Sequence, residues 1–181
     1  MLEVIYLIFN EGYSATAGDE WMRPALCEDA LRLGRILAEL MPDESEVHGL
    51  VALMEIQASR TKAGVDGKGR LVLLPDQDRS RRDPLLIRRG LAALRRSEAL
   101  GGTRSVYALQ AALAACHARA PSAADTDWPM IVALYDALMQ TVPTPVVKLN
   151  RAVAVSMAYG AEEALPIVDA LRDALALRNY H

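Results

Sequence analysis

Apolar residues recur at intervals of three and four along nearly the whole chain, which is the spacing of one buried helix face. A clear stripe joins Leu26, Ala30, Leu33 and Leu37, and charged residues fill the opposite side. Proline and glycine interrupt such stripes at regular points. The pattern predicts an all-α fold. The expected helices cover residues 1–11, a stretch closed by Met41–Pro42, a stretch from Asp43 toward Gly64, and then 84–100, 104–119, 127–140, 145–159 and 161–178.

Residues at the predicted helix ends carry their own signals. Gly12 follows the first helix and is interpreted as its C-cap, because glycine adopts the left-handed conformation easily. Asp43 is expected to cap the third helix, with Glu46 as its capping-box partner. Pro84 suits the first turn of the next helix, because a helix leaves that backbone position without a hydrogen-bond partner.

The segment 64–83 departs from the helical pattern. It is rich in glycine at its start, and residues 71–75 (Leu-Val-Leu-Leu-Pro) form its one strand-like run. A single run has no partner with which to build a sheet, so we expect it to lie extended in a groove between helices. A highly charged stretch, 76–83, follows it. We therefore expect a helical part over 1–83 with a charged loop at 64–83, and stacked antiparallel helical hairpins over 84–181.

The last two predicted helices carry a faint repeat signal. Asn150, Ala154 and Ala158 precede a turn at Gly160, and Ala164 follows it. Small residues at such spacing let two helices approach closely, as in a tetratricopeptide unit. The hairpins are thus expected to be tetratricopeptide-like toward the C-terminus.

Composition narrows the range of functions. The net charge is −3, which gives no overall attraction to nucleic acid or to an anionic membrane. Charges interrupt every apolar stretch before it reaches membrane-spanning length. Cys27 and Cys116 lie in apolar helical patterns, as buried thiols do, and suggest a reducing cytoplasm.

Residues that could carry chemistry are sparse. His48, His117 and His181 lack the spacing of a zinc site, and Asp76–Asp78 lack the later ligands of a calcium loop. Neither a nucleophile elbow nor a phosphate-binding glycine loop is present. The arginines between 79 and 96 are interpreted as a charged helix face with local salt bridges, in preference to a phosphate-binding surface. We expect no metal, no cofactor, no catalytic residues and no enzyme activity.

The octet Tyr6–Tyr13 (Tyr-Leu-Ile-Phe-Asn-Glu-Gly-Tyr) stands out, because it contains the one phenylalanine and two of the six tyrosines. The aromatic residues could simply anchor the end of a helix in the core. They could also form a docking surface, with Asn10 and Glu11 supplying polar contacts.

The octet resembles the start of the C-terminal extension found in one group of extracytoplasmic-function (ECF) RNA polymerase sigma factors, within the sigma-70 family. The resemblance continues in order along nearly the whole chain. Further similar blocks are Leu26–Leu33, Leu40–Leu50, Leu73–Ser80, Tyr107–Ala118, Trp128–Leu138 and Pro143–Ala154. Where the family usually has an aromatic residue before aspartate, this chain has Arg81–Arg82–Asp83.

The resemblance implies a regulatory domain of a longer protein, from which sigma domains 2 and 4 are absent in this chain. The implied partners are those sigma core domains and RNA polymerase, with promoter DNA bound only through the missing domains and no membrane contact. A homodimer is a further option. Two other functions stay open: a small-molecule sensor with its groove around 71–83, and a small enzyme using the charged loop at 76–83.

We expect two groups of residues to form or brace the surface that meets the sigma domains. The first belongs to the octet and the second to the charged loop. They are Tyr6, Phe9, Asn10, Glu11 and Tyr13, together with Asp76, Asp78 and Arg79.

Overall fold

The computed structural model describes residues 1–13, 23–67 and 70–172, and over these ranges the all-α prediction is confirmed. The described residues contain eight α-helices and no strand. The helices are α1 (Leu2–Tyr13), α2 (Pro24–Leu40), α3 (Ser45–Ala58), α4 (Pro84–Ala99), α5 (Val106–Arg119), α6 (Trp128–Thr141), α7 (Pro145–Tyr159) and α8 (Ala161–Asp169). The final part of the predicted 161–178 helix, and His181, lie outside the described residues.

Helix α3 lies at the centre of the first half of the fold. It packs against α1 and α2 on one side and against α4 and α5 on the other, and ten of its residues are buried. Leu50 and Met54 belong to the core shared with α1 and α2, whereas Leu53 and Ile56 belong to the core shared with α4 and α5. The chain on either side of residue 83 therefore contributes to one continuous packing arrangement.

Helices α5 to α8 pack in succession, each against the next. Their shared core includes Leu113, Ile131, Leu138 and Val155. Because the connections are short, consecutive helices run in opposite directions, as in stacked hairpins. Gly160 makes the sharp turn from α7 to α8 with a φ of 106°, a conformation that residues with a side chain rarely adopt.

Four helices begin at a polar residue whose side chain accepts a hydrogen bond from a main-chain N–H of the first turn, as expected for good N-caps. They are Asp83, Ser105, Asp127 and Thr144. The expected cap at Asp43 is wrong: α3 begins after Glu44, whose side chain makes no capping bond. Glu46 instead accepts from the main-chain N–H groups of Val106 and Tyr107, at 3.1 and 3.3 Å, and so caps α5.

Gly12 is not a C-cap, because α1 continues through Tyr13 and Gly12 does not take a left-handed conformation. Glycine is required at position 12 for a different reason, which is the close packing of α1 against α2. A Cβ at position 12 would lie 2.7 Å from the main-chain nitrogen of Cys27 and 2.9 Å from its sulfur. Glycine here lets α1 and α2 approach closely.

The extended run at 71–75 lies against the helices only in part, since Val72 and Leu74 are half-buried. Leu71 and Leu73 are more than half exposed, and Leu74–Asp76 form a short 3-10 turn. Leu71 makes an isolated bridge to Val65, which closes the glycine-rich loop. Hydrogen bonds within the loop, such as that from Val72 N–H to the main-chain oxygen of Gly64, accompany this partial burial.

Candidate functional site

The charged loop is fastened to the C-terminus of α5 by two arginines. Arg79 donates from Nη1 to the main-chain oxygens of His117 and Ala120, at 2.8 and 2.6 Å. Arg82 donates from its own Nη1 to the same oxygen of His117, at 2.8 Å. Carbonyls in the last turn of a helix lack partners within the helix and carry partial negative charge, so guanidinium groups suit them well.

These two residues and Arg60 form what we call the arginine cluster. Arg82 is only 6% exposed, and its Nε and Nη2 have no hydrogen-bond partner among the described residues. The Nε of Arg60 is also buried without such a partner. Burial lowers the pKa of Arg82 to about 10, and the charges of Arg79 and Arg60 act in the same direction.

Carboxylates do not neutralise the cluster at short range. Among the described residues, no acidic side chain lies within 4.0 Å of the guanidinium nitrogens of Arg60, Arg79 or Arg82. The salt bridges expected for the arginines of 79–96 are thus replaced, at positions 79 and 82, by bonds to main-chain oxygens. The cluster is a region of concentrated positive charge.

His117 lies beside the arginine cluster. Burial lowers the pKa of its imidazole to about 4, and the positive charges of Arg60, Arg79 and Arg82 lower it too. The ring meets Trp128 edge to face, with centroids 5.3 Å apart. The imidazole is therefore neutral at pH 7 and offers one donor and one acceptor nitrogen.

A cavity of about 490 Å³ adjoins His117 and Arg60, and we call it the central cavity. It lies between α1, α3, α5, α6 and α7, and its volume is typical of sites for small organic molecules. Apolar side chains such as Leu113 and Ile131 form part of its wall. No acidic residue lines it among those described. The converging polar groups include Gln57, Arg60, Gln110, His117, Tyr135 and Asn150.

The aromatic residues of the octet face inward. Phe9 is fully buried, and Tyr13 stacks on it with ring centroids 5.8 Å apart. Tyr6 meets Tyr107 edge to face at 5.6 Å and also lines the central cavity. Phe9 can therefore brace a docking surface from within, whereas contact with a partner would fall to its neighbours.

Asn10 and Glu11, the polar members of the octet, are half-buried and engaged with neighbours. The side chain of Asn10 interacts with the hydroxyl of Tyr6 and partly offsets the rise that burial causes in the pKa of Tyr6. Glu11 pairs with Arg23 at 3.2 Å, which ties the end of α1 to the start of α2. Their proposed docking role stays a prediction.

The second predicted group is dispersed. Asp76 is exposed, and Asp78 accepts hydrogen bonds from the main chain and hydroxyl of Ser80, at 2.9 and 2.7 Å, which lower the pKa of Asp78. Arg79 turns toward α5, as described above. In the structure, Arg79 therefore lies near Arg60, Arg82 and His117. Asp76 and Asp78 lie at the surface of the loop.

A second feature is an apolar groove of about 370 Å³, which we call the α1–α2 groove. Several of its side chains are well exposed, with Val4 at 58%, Ile36 at 43% and Leu40 at 73%. All the residues that line it are apolar: Met1, Val4, Ile5, Ile8, Leu33, Ile36, Leu37 and Leu40.

Among the described residues, the structure does not bring together groups suited to nucleophilic or metal chemistry. Burial raises the pKa of Cys27 to about 11, and it also raises the pKa of Cys116. Within the described ranges, no three His, Cys, Asp or Glu side chains are placed to hold a metal ion. None of the described helices has the length and apolarity needed to span a bilayer.

Residues 1–98 match the model of a family of unknown function, DUF6596. The chain belongs to this DUF6596 family. It is also 47% identical, over 179 residues, to the uncharacterized protein R00370 of Rhizobium meliloti (strain 1021). That alignment covers 98% of the chain and 42% of the relative, so the chain spans less than half the length of that protein. No solved structure matches the chain.

The DUF6596 region contains α1 to α3 and all of α4 except its last residue, and with them the α1–α2 groove and all three residues of the arginine cluster. His117 and the cavity walls from α5, α6 and α7 lie beyond it. Arg60, Arg82 and His117 are not recognisable as a group from the sequence, because the contacts of the charged loop with α5 join residues that lie far apart in the sequence. The arginine-rich charged loop is the one signal that points to them.

Proposed function

We propose that this chain is a regulatory and interaction module of an ECF-type RNA polymerase sigma factor. In this proposal it modulates promoter-directed transcription initiation by contacting the sigma core domains of the same polypeptide, or the polymerase. The ordered sequence blocks support the proposal, as does the greater length of the relative. Promoter DNA would be bound only by the sigma domains.

The observation that carries the proposal is the α1–α2 groove. Exposed apolar surface has a free-energy cost in water, and a contiguous patch marks a place where another surface binds. Met1 lines this groove, so in a longer polypeptide the preceding segment would enter the domain directly beside it. A tether of this kind raises the effective concentration of the two parts to roughly millimolar, which lets a modest apolar patch control activity.

The titratable groups support a binding role over catalysis. The raised pKa of both cysteines keeps their thiols protonated, whereas a nucleophilic cysteine needs a lowered pKa. The lowered pKa of His117 makes it a weak base at neutral pH. We therefore propose that the module is not an enzyme.

A binding experiment in trans tests the docking role. The sigma core domains of the parent polypeptide are immobilised, and the chain is titrated over them as wild type, Ile36→Asp or Val153→Asp. Val153 is a matched control, because it is an exposed apolar residue on the distant helix α7. We expect Ile36→Asp to weaken binding at least tenfold, since a carboxylate in the groove must be desolvated on docking.

The control variant should bind within twofold of wild type. In vitro transcription with the full-length protein should change for Ile36→Asp and stay constant for Val153→Asp. Absence of binding by the wild-type chain, or equal weakening by both variants, would refute docking through the α1–α2 groove.

A second candidate function, small-molecule sensing, is favoured by the central cavity. It is compatible with the first, because a domain that contacts sigma through α1 and α2 could respond to occupancy of a cavity lined in part by α1 and α3.

A further inference from the structure

We propose that the central cavity binds a small amphipathic anion, with its head group against Arg60 and its apolar body along the walls from α5 and α6. The head group is a carboxylate or a phosphate, since a guanidinium recognises both through the same pair of hydrogen bonds. This inference does not depend on the sigma-factor proposal.

The charge of the ligand follows from the arginine cluster. Arg79 and Arg82 bind the C-terminal turn of α5, the charge of Arg60 acts on His117 in the same turn, and no described carboxylate pairs with any of the three within 4.0 Å. Arg79 and Arg82 are committed to main-chain oxygens, whereas Arg60 lines the cavity. A guanidinium without a paired carboxylate in the wall of a cavity favours an anionic head group, through its charge and through hydrogen bonds from its N–H groups.

The polar residues that line the cavity favour an anionic ligand over a cationic one. Gln57, Gln110 and Asn150 each carry an amide N–H₂ that can donate to a head group. No aspartate or glutamate lines the cavity among the described residues, so a cationic ligand would meet only positive charge and neutral dipoles. The neutral imidazole of His117 adds one more possible donor.

The apolar side chains that line the cavity favour a ligand with an apolar body. Leu113, Ile131 and Leu138 belong to the core shared by α5 to α8, and their side chains border the cavity. Val142 and Val147 continue this surface. A small anion without an apolar body, such as acetate or inorganic phosphate, would not cover these apolar side chains. Its binding would therefore gain no free energy from the burial of apolar surface.

The test is a calorimetric titration of the full chain with four eight-carbon probes, each below its micelle concentration. Octanoate and octyl phosphate supply the two head groups. Octylammonium reverses the charge, and octan-1-ol removes it. We expect at least one of the two anions to bind at least tenfold more tightly than both control probes, and the tighter anion identifies the head group.

Two variants locate the site. Arg60→Gln should weaken the binding of the anion at least tenfold, whereas Arg88→Gln, at an exposed arginine of α4, should leave it unchanged. Val147→Trp, which fills the cavity, should abolish binding. Amide chemical-shift changes with the wild-type chain should be concentrated on residues that line the central cavity. Circular dichroism verifies that each variant is folded.

Equal binding of all four probes would overturn the proposal, because it would indicate apolar association alone, for which the α1–α2 groove is sufficient. Absence of binding by both anions, shift changes confined to α1 and α2, or unaltered binding in Arg60→Gln would overturn it as well. If Arg60→Gln does not fold, Val147→Trp and the shift map decide. None of these measurements involves sigma domains, so failure here leaves the docking proposal intact.

Discussion

The guanidinium of Arg79 donates a 2.8 Å hydrogen bond to the main-chain oxygen of His117, although 38 residues separate the two. Arg82 donates to the same oxygen at 2.8 Å. A loop with little apolar burial of its own is thereby held against α5. The same bonds hold two positive charges near His117, which lines the central cavity, so the position of the loop affects the electrostatics of the cavity.

Replacing Arg79 with glutamine should destabilise the fold. The change removes two charge-assisted hydrogen bonds to the end of α5, and we expect a loss of about 1–3 kcal/mol in the free energy of unfolding. Urea denaturation followed by circular dichroism measures it. Arg88→Gln serves as the control and should change stability by less than about 0.5 kcal/mol, because Arg88 is exposed. Equal effects of the two changes would show that the Arg79 bonds add no stability.

Much of the fold could be predicted because its signals are local. Pro84 predicts the start of α4, and the predicted and observed bounds of α7 agree at 145–159. Glu46 shows the limit of local reasoning. Its spacing from Asp43 fits a capping box, yet its carboxylate caps α5, whose first residue lies 60 positions away.

The candidate site could be predicted far less well. Arg60 lies in a turn after α3, and Arg82 sits in a loop whose sequence looks exposed and charged. A buried arginine that binds main-chain oxygens leaves no recognisable sequence pattern, because the oxygens belong to every residue type. Only the packing of α3 against α5 brings these arginines beside His117.

The ion pair between Arg35 and Glu55 should contribute more than the surface pairs. Its atoms are 2.8 Å apart, and the Glu55 side chain is only 2% exposed. Arg35→Ala leaves a buried carboxylate without its partner, and we expect a loss of about 2–4 kcal/mol. Arg32 is a matched control on the same helix, because its partner Asp29 is exposed. Arg32→Ala should cost less than about 1 kcal/mol in urea denaturation. A cost for Arg35→Ala as small as that of the control would contradict this interpretation.

The contact at Gly12 predicts a steric effect. A methyl group there would lie 2.7 Å from the main-chain nitrogen of Cys27, which cannot move without shifting α2. Gly12→Ala should therefore lower the thermal unfolding temperature, with a loss of about 1–3 kcal/mol. Gly67→Ala is the control, since a Cβ there meets nothing within 4 Å. It should be neutral or slightly stabilising. An unchanged unfolding temperature for Gly12→Ala would show that α1 and α2 can separate freely.

His117 should make stability depend on pH in the acidic range. Its pKa of about 4 in the folded protein lies below the ordinary value of 6.5, so the unfolded chain binds the proton more readily. This contribution to stability is complete above about pH 6.5 and is lost as the pH falls toward 4. NMR titration of the imidazole should show the neutral form at pH 5.5. Arg60→Gln should raise the pKa of His117 by removing one nearby positive charge. A wild-type ring that titrates near 6.5 would contradict the proposed environment.

The docking role of Asn10 and Glu11 can be separated from their internal contacts. The pair between Glu11 and Arg23 is partly exposed, so its loss should cost no more than about 1 kcal/mol. In the full-length protein, the double change Asn10→Ala and Glu11→Ala should then leave the urea midpoint nearly constant while altering promoter-driven transcription. Unchanged transcription with intact folding would refute the docking role. If stability and transcription fall together, the two residues act by holding α1 against its neighbours, and contact with a sigma domain would then rest on the exposed apolar residues of the α1–α2 groove.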